Sequence, residues 1–142
     1  MQAHGSFHLW VDNQVLLGRI SGAWNEEEGW LYFKKIKEIT KPIIHKPWAM
    51  ILYLNDWELT TPETEQASRA LVNWTWQHKL ARVAEVYDAS IVKQLQIDRL
   101  VKEGPSGFKR RQFSNETEAF AWLDSQGYPL ELRQLINRVP ND

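Results

Sequence analysis

The sequence predicts a single α/β domain: an N-terminal hairpin, then four βα units, with a mixed, mostly parallel sheet and helices on its faces. Three observations lead there. From Val15 onward, strand-like and helix-like segments alternate in the order βα, βα, βα, βα, which calls for parallel strands joined by right-handed crossovers. The run over residues 47–54, PWAMILYL, is apolar at nearly every position, as suits a central strand covered on both faces. Two short strand-like segments, residues 7–11 and 15–20, flank the turn-like Asp12-Asn13-Gln14 and read as a hairpin.

Gly22 ends the hairpin, and the first helix starts at Asn25. Asn25 and Glu28 have capping-box spacing, and Glu26, Glu27 and Glu28 place negative charge at the positive end of the helix dipole. Trp30, Phe33 and Ile36 recur at helical spacing and predict its buried face. Pro42 stops it. After the central strand, Asn55, Asp56 and Trp57 form a loop. A second helix begins at Thr60 or Thr61, with Pro62 in its first turn and capping spacing from Thr60 to Glu63. Ala67, Ala70, Leu71, Trp74 and His78 form its expected buried stripe, with Trp76 on the opposite face.

Residues 83–87 read as a strand and 90–103 as a helix, whose Ile91, Val92, Leu95, Ile97, Leu100 and Val101 spread around more than one face. Gly104-Pro105-Ser106-Gly107 is a break. The last strand, 108–113, carries Lys109, Arg110 and Arg111 in succession, which suits an exposed edge. Asn115 and Glu118 cap a closing helix over 116–126 that buries Ala119, Trp122 and Leu123 and ends at Gly127. The domain so defined covers residues 1–127. Residues 128–142 form an amphipathic C-terminal tail, with Leu132, Leu135, Ile136 and Val139 at i, i+3, i+4 and i+7.

Composition narrows the function. A chain of 142 residues suits one domain. Its 17 basic and 18 acidic residues leave a net charge of −1, which argues against nucleic acid, where phosphates must be neutralised, and against a polybasic membrane contact. There is no cysteine, so disulfides, thiolate nucleophiles and cysteine-bound zinc are excluded. Residues 1–8 lack the basic and apolar pattern of a signal peptide. The longest apolar run, 48–54, falls short of the ~20 residues that span a bilayer. The expected location is the cytoplasm, with no integral membrane association. The unusual figure is eight tryptophans, a residue suited to cores and interfaces alike.

Three stretches stand in a telling order. Gly22-Ala23-Trp24 leads into the first helix, Lys46-Pro47-Trp48 leads into the central strand, and Phe113 is followed by Glu118-Ala119-Phe120-Ala121-Trp122-Leu123. Together, over about residues 6–126, they resemble the SpoIIAA-like family, relatives of the STAS domain and of anti-sigma-factor antagonists. The resemblance implies a small right-handed βα superhelix around a mixed sheet, similar in architecture to the lipid-carrying CRAL-TRIO fold. It also implies a non-enzymatic regulatory module acting on a protein partner or as a homodimer. STAS-type antagonists carry a phosphorylatable Ser or Thr after the central strand. Here the corresponding stretch, Asn55-Asp56-Trp57-Glu58-Leu59-Thr60-Thr61-Pro62, lacks the usual Ser-Ser-Gly element. Thr60 and Thr61 stand near the switch position, but cap preference alone explains both.

The alternative function is a carrier of a small apolar or lipid-like ligand. Trp24, Trp30, Trp57 and Trp76, with the helix over 90–103, could line a cleft. In parallel sheets such sites lie beyond the carboxyl ends of the strands, where the loops 22–25, 55–61, 88–90 and 114–115 gather. Trp24, Asp56, Trp57 and Thr60 make up the expected cleft. Leu132, Leu135, Ile136 and Val139, with the 90–103 helix, make up the expected interface. No nucleophile elbow, Walker loop or dinucleotide fingerprint occurs, so no enzyme and no cofactor is expected. His4 and His8 lack a helix to align them, His45 is isolated and His78 lies on an apolar stripe, so no metal is expected either.

Overall fold

A computed structural model describes residues 5–58, 61–88, 91–101 and 104–131. Its strands are β1 (Ser6–Asp12), β2 (Val15–Ser21), β3 (Trp48–Tyr53), β4 (Leu80–Val86) and β5 (Lys109–Phe113). Its helices are α1 (Glu26–Ile39), α2 (Pro62–Gln77), α3 (Ile91–Leu100) and α4 (Glu116–Ser125). The elements follow the order expected from the sequence. The strands lie side by side as β1-β2-β3-β4-β5. β1 and β2 form the antiparallel hairpin, with Asn13 at φ 53 in its turn, and every later pair is parallel. β3 is central, and Trp48, Ala49, Met50 and Ile51 are all buried, which accounts for its unbroken apolar run.

The sequential strand order dictates the layers. α1, α2 and α3 each join one parallel strand to the next on the same side, and right-handed crossovers put all three on one face. That face packs Leu16, Met50 and Val83 of the sheet against Tyr32, Ile36 and Ile97 of the helices. α4 follows the last strand and covers the other face, where Ala119, Phe120 and Leu123 meet Ala49, Ile51 and Ala84.

Three helix faces differ from the periodicity reading; on α4 it is Phe120, with Ala119 and Leu123, that is buried, while Trp122 is half-buried. The capping box of α1 is present: Asn25 Oδ1 accepts from the Glu28 amide at 2.9 Å, and Glu28 Oε1 accepts from the Asn25 amide at 3.1 Å. Its buried residues, however, are Gly29, Tyr32 and Ile36. Trp30 is 42% exposed and Phe33 only half-buried. Gly29 explains the rotation, because α1 and α2 meet there: a Cβ on Gly29 would stand 3.0 Å from Ala67 Cβ. An indole cannot occupy that gap, so Trp30 turns outward and stacks on Phe33 at 6.0 Å.

In α2 the cap is Thr61, whose hydroxyl accepts from the Thr64 amide, rather than the pair Thr60 and Glu63. Thr64, Glu65, Ala67 and Thr75 are its buried residues; Ala70, Leu71 and Trp74 are half-buried. Trp76 is half-buried rather than turned fully outward, since α2 packs on β4 and α3 as well as α1.

β5 is an edge strand, but of its three basic residues only Lys109 and Arg111 point outward; Arg110 turns under α3. α4 carries its Asn115 cap, and Gly127 follows at φ +96. The chain then returns over the α4 face to the hairpin. Leu130 is buried, Asn13 Nδ2 donates to the Pro129 carbonyl at 3.0 Å, and the Glu131 amide donates to Asp12 Oδ1 at 3.0 Å. The proposed interface residues Leu132, Leu135, Ile136 and Val139 lie outside the described residues. Among the described residues, no helix is long and apolar enough to cross a membrane.

Candidate functional site

Two loops bring the first wall of a site together. At the end of β2, Gly22 turns at φ 80; its amide donates to the Asp56 carbonyl at 2.8 Å, and its carbonyl accepts from the Glu58 amide at 3.1 Å. This short parallel bridge sets Trp24 and Trp57 on the same end of the molecule. Trp24 is locked further: its Nε1 donates to the Ser21 carbonyl at 2.8 Å, and its own carbonyl accepts from Thr64 Oγ1 at 3.0 Å. Gly5 packs so close to the indole that a Cβ there would lie 1.8 Å from Trp24 Cδ1. Both tryptophans are buried.

Between the sheet and the three-helix layer lies a cavity of about 150 Å³. Trp24, Trp57 and Tyr32 close one end, Met50, Leu52 and Val83 form its floor, and Leu71, Ile97 and Val101 form its roof. Burial pushes the Tyr32 hydroxyl above the ordinary range of a phenol, so it is neutral. The cavity lies within the layers, not beyond the strand ends as expected. The physical reason is the strand order: ligand crevices form where the order reverses, and a sheet that runs straight from β1 to β5 has no such point.

The expected cleft residues divide accordingly. Trp24 and Trp57 line the cavity. Asp56 is exposed and contributes only its backbone carbonyl, to the Gly22 bridge. Thr60 lies outside the described residues. Thr61 serves as a helix cap, its hydroxyl 3.1 Å from Thr64 Oγ1. Trp30 is on the outer surface and takes no part, whereas Trp76 joins the lining, its ring edge-on to Phe108 at 5.5 Å.

The β4–β5 side of the cavity is polar. Glu85, 2% exposed, faces inward from β4. Arg110 on β5 donates to both its oxygens, at 3.0 and 3.3 Å, and also to Asp98 of α3. Burial nevertheless pushes the Glu85 carboxyl up to about 7, against the pull of Arg110. The Trp76 indole N–H is buried and meets no hydrogen-bond acceptor. Sequence reading missed this side. Its signal was the period of two in each strand: Arg110 shares a face with Phe108, and Glu85 shares one with Val83.

Polar contacts tie down α3 in addition to its buried Ile97. Glu65 on α2 is paired with Arg99, with Arg69 at 3.5 Å and with Gln96 at 3.5 Å, and Lys93 Nζ donates to the Leu54 carbonyl at 2.9 Å. Leu95 stands out, at 64% exposed. His78 is a structural residue at the helix end: its Nδ1 donates to the Trp74 carbonyl at 2.8 Å and its ring stacks on that indole at 4.3 Å. Among the described residues, no group of three or more His, Asp or Glu could hold a metal ion.

No protein-family model and no curated protein matches the sequence. Among solved structures the chain is similar to an uncharacterized protein of the DUF3478 family, with a SpoIIAA-like fold, from Shewanella loihica. The TM-score is 0.65 over 87% of this chain and 96% of that one, at 10% sequence identity. At that identity the likeness is one of architecture: the chain adopts a SpoIIAA-like fold, as the resemblance of its sequence implied.

Proposed function

We propose that the domain is a non-enzymatic binding module that holds a small apolar molecule between its sheet and its three-helix layer. The cavity carries this reading. Protein interiors are close-packed, with few voids larger than water. The cavity of about 150 Å³ is lined mainly by apolar side chains, and an apolar occupant would remove that surface from water at roughly 25 cal/mol per Å². A cavity of this size accepts a ligand as large as a benzene ring.

Native mass spectrometry of protein purified from its own cells tests the proposal. A mass above the bare chain that vanishes on denaturation is the expected result. A bare chain, with no saturable binding of benzene or toluene added in solution, would count against it.

A second reading is the regulatory module that the SpoIIAA-like fold suggests, meeting a protein partner or a second copy. Trp30 and Leu31, 42% and 46% exposed beside each other on α1, support it. Replacing both by Ser should abolish self-association in sedimentation velocity without lowering stability. A chain that is monomeric at every concentration before the change removes the homodimer.

A further inference from the structure

We propose that two copies of the chain pair edge to edge through β1, antiparallel about a two-fold axis at Leu9, so that their sheets become one. The proposal rests on the second reading above and names its partner, a second copy, and the surface that meets it.

β1 is the end of the sheet opposite β5, and among the described residues no strand pairs with its outer side. The direction of its backbone groups follows from the neighbouring strand. The Gln14 carbonyl accepts from the Ala49 amide at 2.9 Å, so Gln14 turns toward β3. Alternation then turns Val15, Leu17, Arg19 and Ser21 toward β1, where they face Asp12, Trp10, His8 and Ser6. The N–H and C=O groups of Phe7, Leu9 and Val11 are left pointing out of the edge.

The two edges of the sheet are built differently. Exposed edges are ordinarily blunted by charge, proline, a bulge or short length. β5 has five residues and carries Lys109, Arg110 and Arg111. β1 has seven, SFHLWVD, in unbroken register with β2, without proline and with its carboxylate at the last position.

The sequence of β1 also fits itself. An antiparallel copy centred on Leu9 sets Leu9 against its own copy, Phe7 against Val11 and His8 against Trp10. The residues with outward groups thus face one another, and each such pair can exchange two main-chain hydrogen bonds. Phe7, Leu9 and Val11 pack on the helix-side core and Trp10 on the α4 side, so apolar side chains meet on one face and aromatic rings on the other. Beside the edge runs an open groove of about 350 Å³ walled by Phe7, Leu9, Lys35, Glu38 and Ile39. The exposed Leu31 stands with Lys35 and Glu38 at i, i+4 and i+7 on α1 and belongs to the same border. Lys35 and Glu38 pair at 3.6 Å, so two copies meet there without net like charge. A two-fold pairing is isologous and uses up β1 in both copies. The joined sheet then ends in β5 on both sides, whose cations oppose growth beyond two.

Sedimentation velocity and amide hydrogen exchange on the wild-type chain, each from ~10 µM to ~0.5 mM, test the pairing. The expected result is a monomer–dimer equilibrium in which exchange at Phe7, Leu9 and Val11 slows as concentration rises. With a Kd of ~10 µM the free chain falls about fivefold over that range, and these amides should slow by about that factor. His8 and Trp10, bonded to β2, should not change. A dimer that leaves Phe7, Leu9 and Val11 unaltered overturns the edge pairing and leaves self-association to another surface, such as Trp30. A monomer throughout overturns both. Assemblies larger than two overturn the closure at the two-fold axis. Single cysteines then read the register in a chain that has none. The two Leu9 Cα atoms of a bonded pair stand ~5.5 Å apart, which a disulfide spans, whereas position 7 lies about 14 Å from its own copy at ~3.4 Å per residue. Under mild oxidation Leu9→Cys should cross-link and Phe7→Cys should not. Equal cross-linking of the two, or none from either, overturns the register.

Discussion

Replacing Glu85 with Gln should remove a large pH dependence from the stability of this domain. In the folded protein the Glu85 carboxyl is pushed up from 4.5 to about 7, chiefly by burial, with Arg110 opposing and Asp98 assisting. Between those two values the folded state keeps a proton that the unfolded chain releases, so the folded state is penalised as pH rises. The stabilising contribution is therefore complete below about pH 4.5 and is lost as pH climbs through about 7. The size follows from the displacement, about 1.4 kcal/mol for each tenfold change in proton affinity, hence about 3 kcal/mol in all. Gln has nearly the same shape and no proton to lose.

Urea unfolding followed by tryptophan fluorescence at pH 5, 6, 7 and 8 measures both proteins, with a constant m-value as the check on two-state behaviour. The difference between variant and wild type should move by about 3 kcal/mol in the variant's favour across that range, or roughly 10 °C in Tm. Parallel curves for the two proteins would refute the reasoning, since every other titrating group is common to both.

Three further changes test the fold and the site. Ser68→Leu fills the cavity from α2 with an apolar side chain, and should raise stability by up to about 1 kcal/mol while blocking benzene, a stability gain that costs binding. Asn25→Ala removes the α1 capping box and should lower stability by about 1 kcal/mol in urea. Gly29→Leu forces α1 away from Ala67 at their closest approach and should cost about 1–3 kcal/mol despite leucine's better helix propensity; a stabilised variant would mean that the helices can part freely.

The features legible in the sequence were those written in local chemistry. Asn25 with Glu28 and Asn115 with Glu118 announced two helix starts, and the PWAMILYL run announced the middle of the sheet. The features missed depend on what a residue meets across the fold. Gly29 reads as a gap in an apolar stripe, yet it is the point where two helices touch, and the large Trp30 beside it draws the eye to the wrong face. Of the site, the aromatic end was visible because Trp24 and Trp57 both fall in loops after parallel strands. The polar end was hidden in the triplet Lys109-Arg110-Arg111, which looks uniformly exposed until alternation turns its middle member inward toward Glu85.

The order of the strands also bears on how the molecule assembles. Each strand of the sheet pairs with the one synthesised immediately before it, so every pairing closes a short stretch of chain, and low sequence separation favours rapid folding. The sheet can grow from the hairpin outward while synthesis continues, each new unit docking on a finished edge. One step cannot wait its turn so simply. The bonds from Asn13 to Pro129 and from Asp12 to Glu131 join positions 116 and 119 residues apart, so the hairpin that is made first receives its last contacts only when residue 131 has been made.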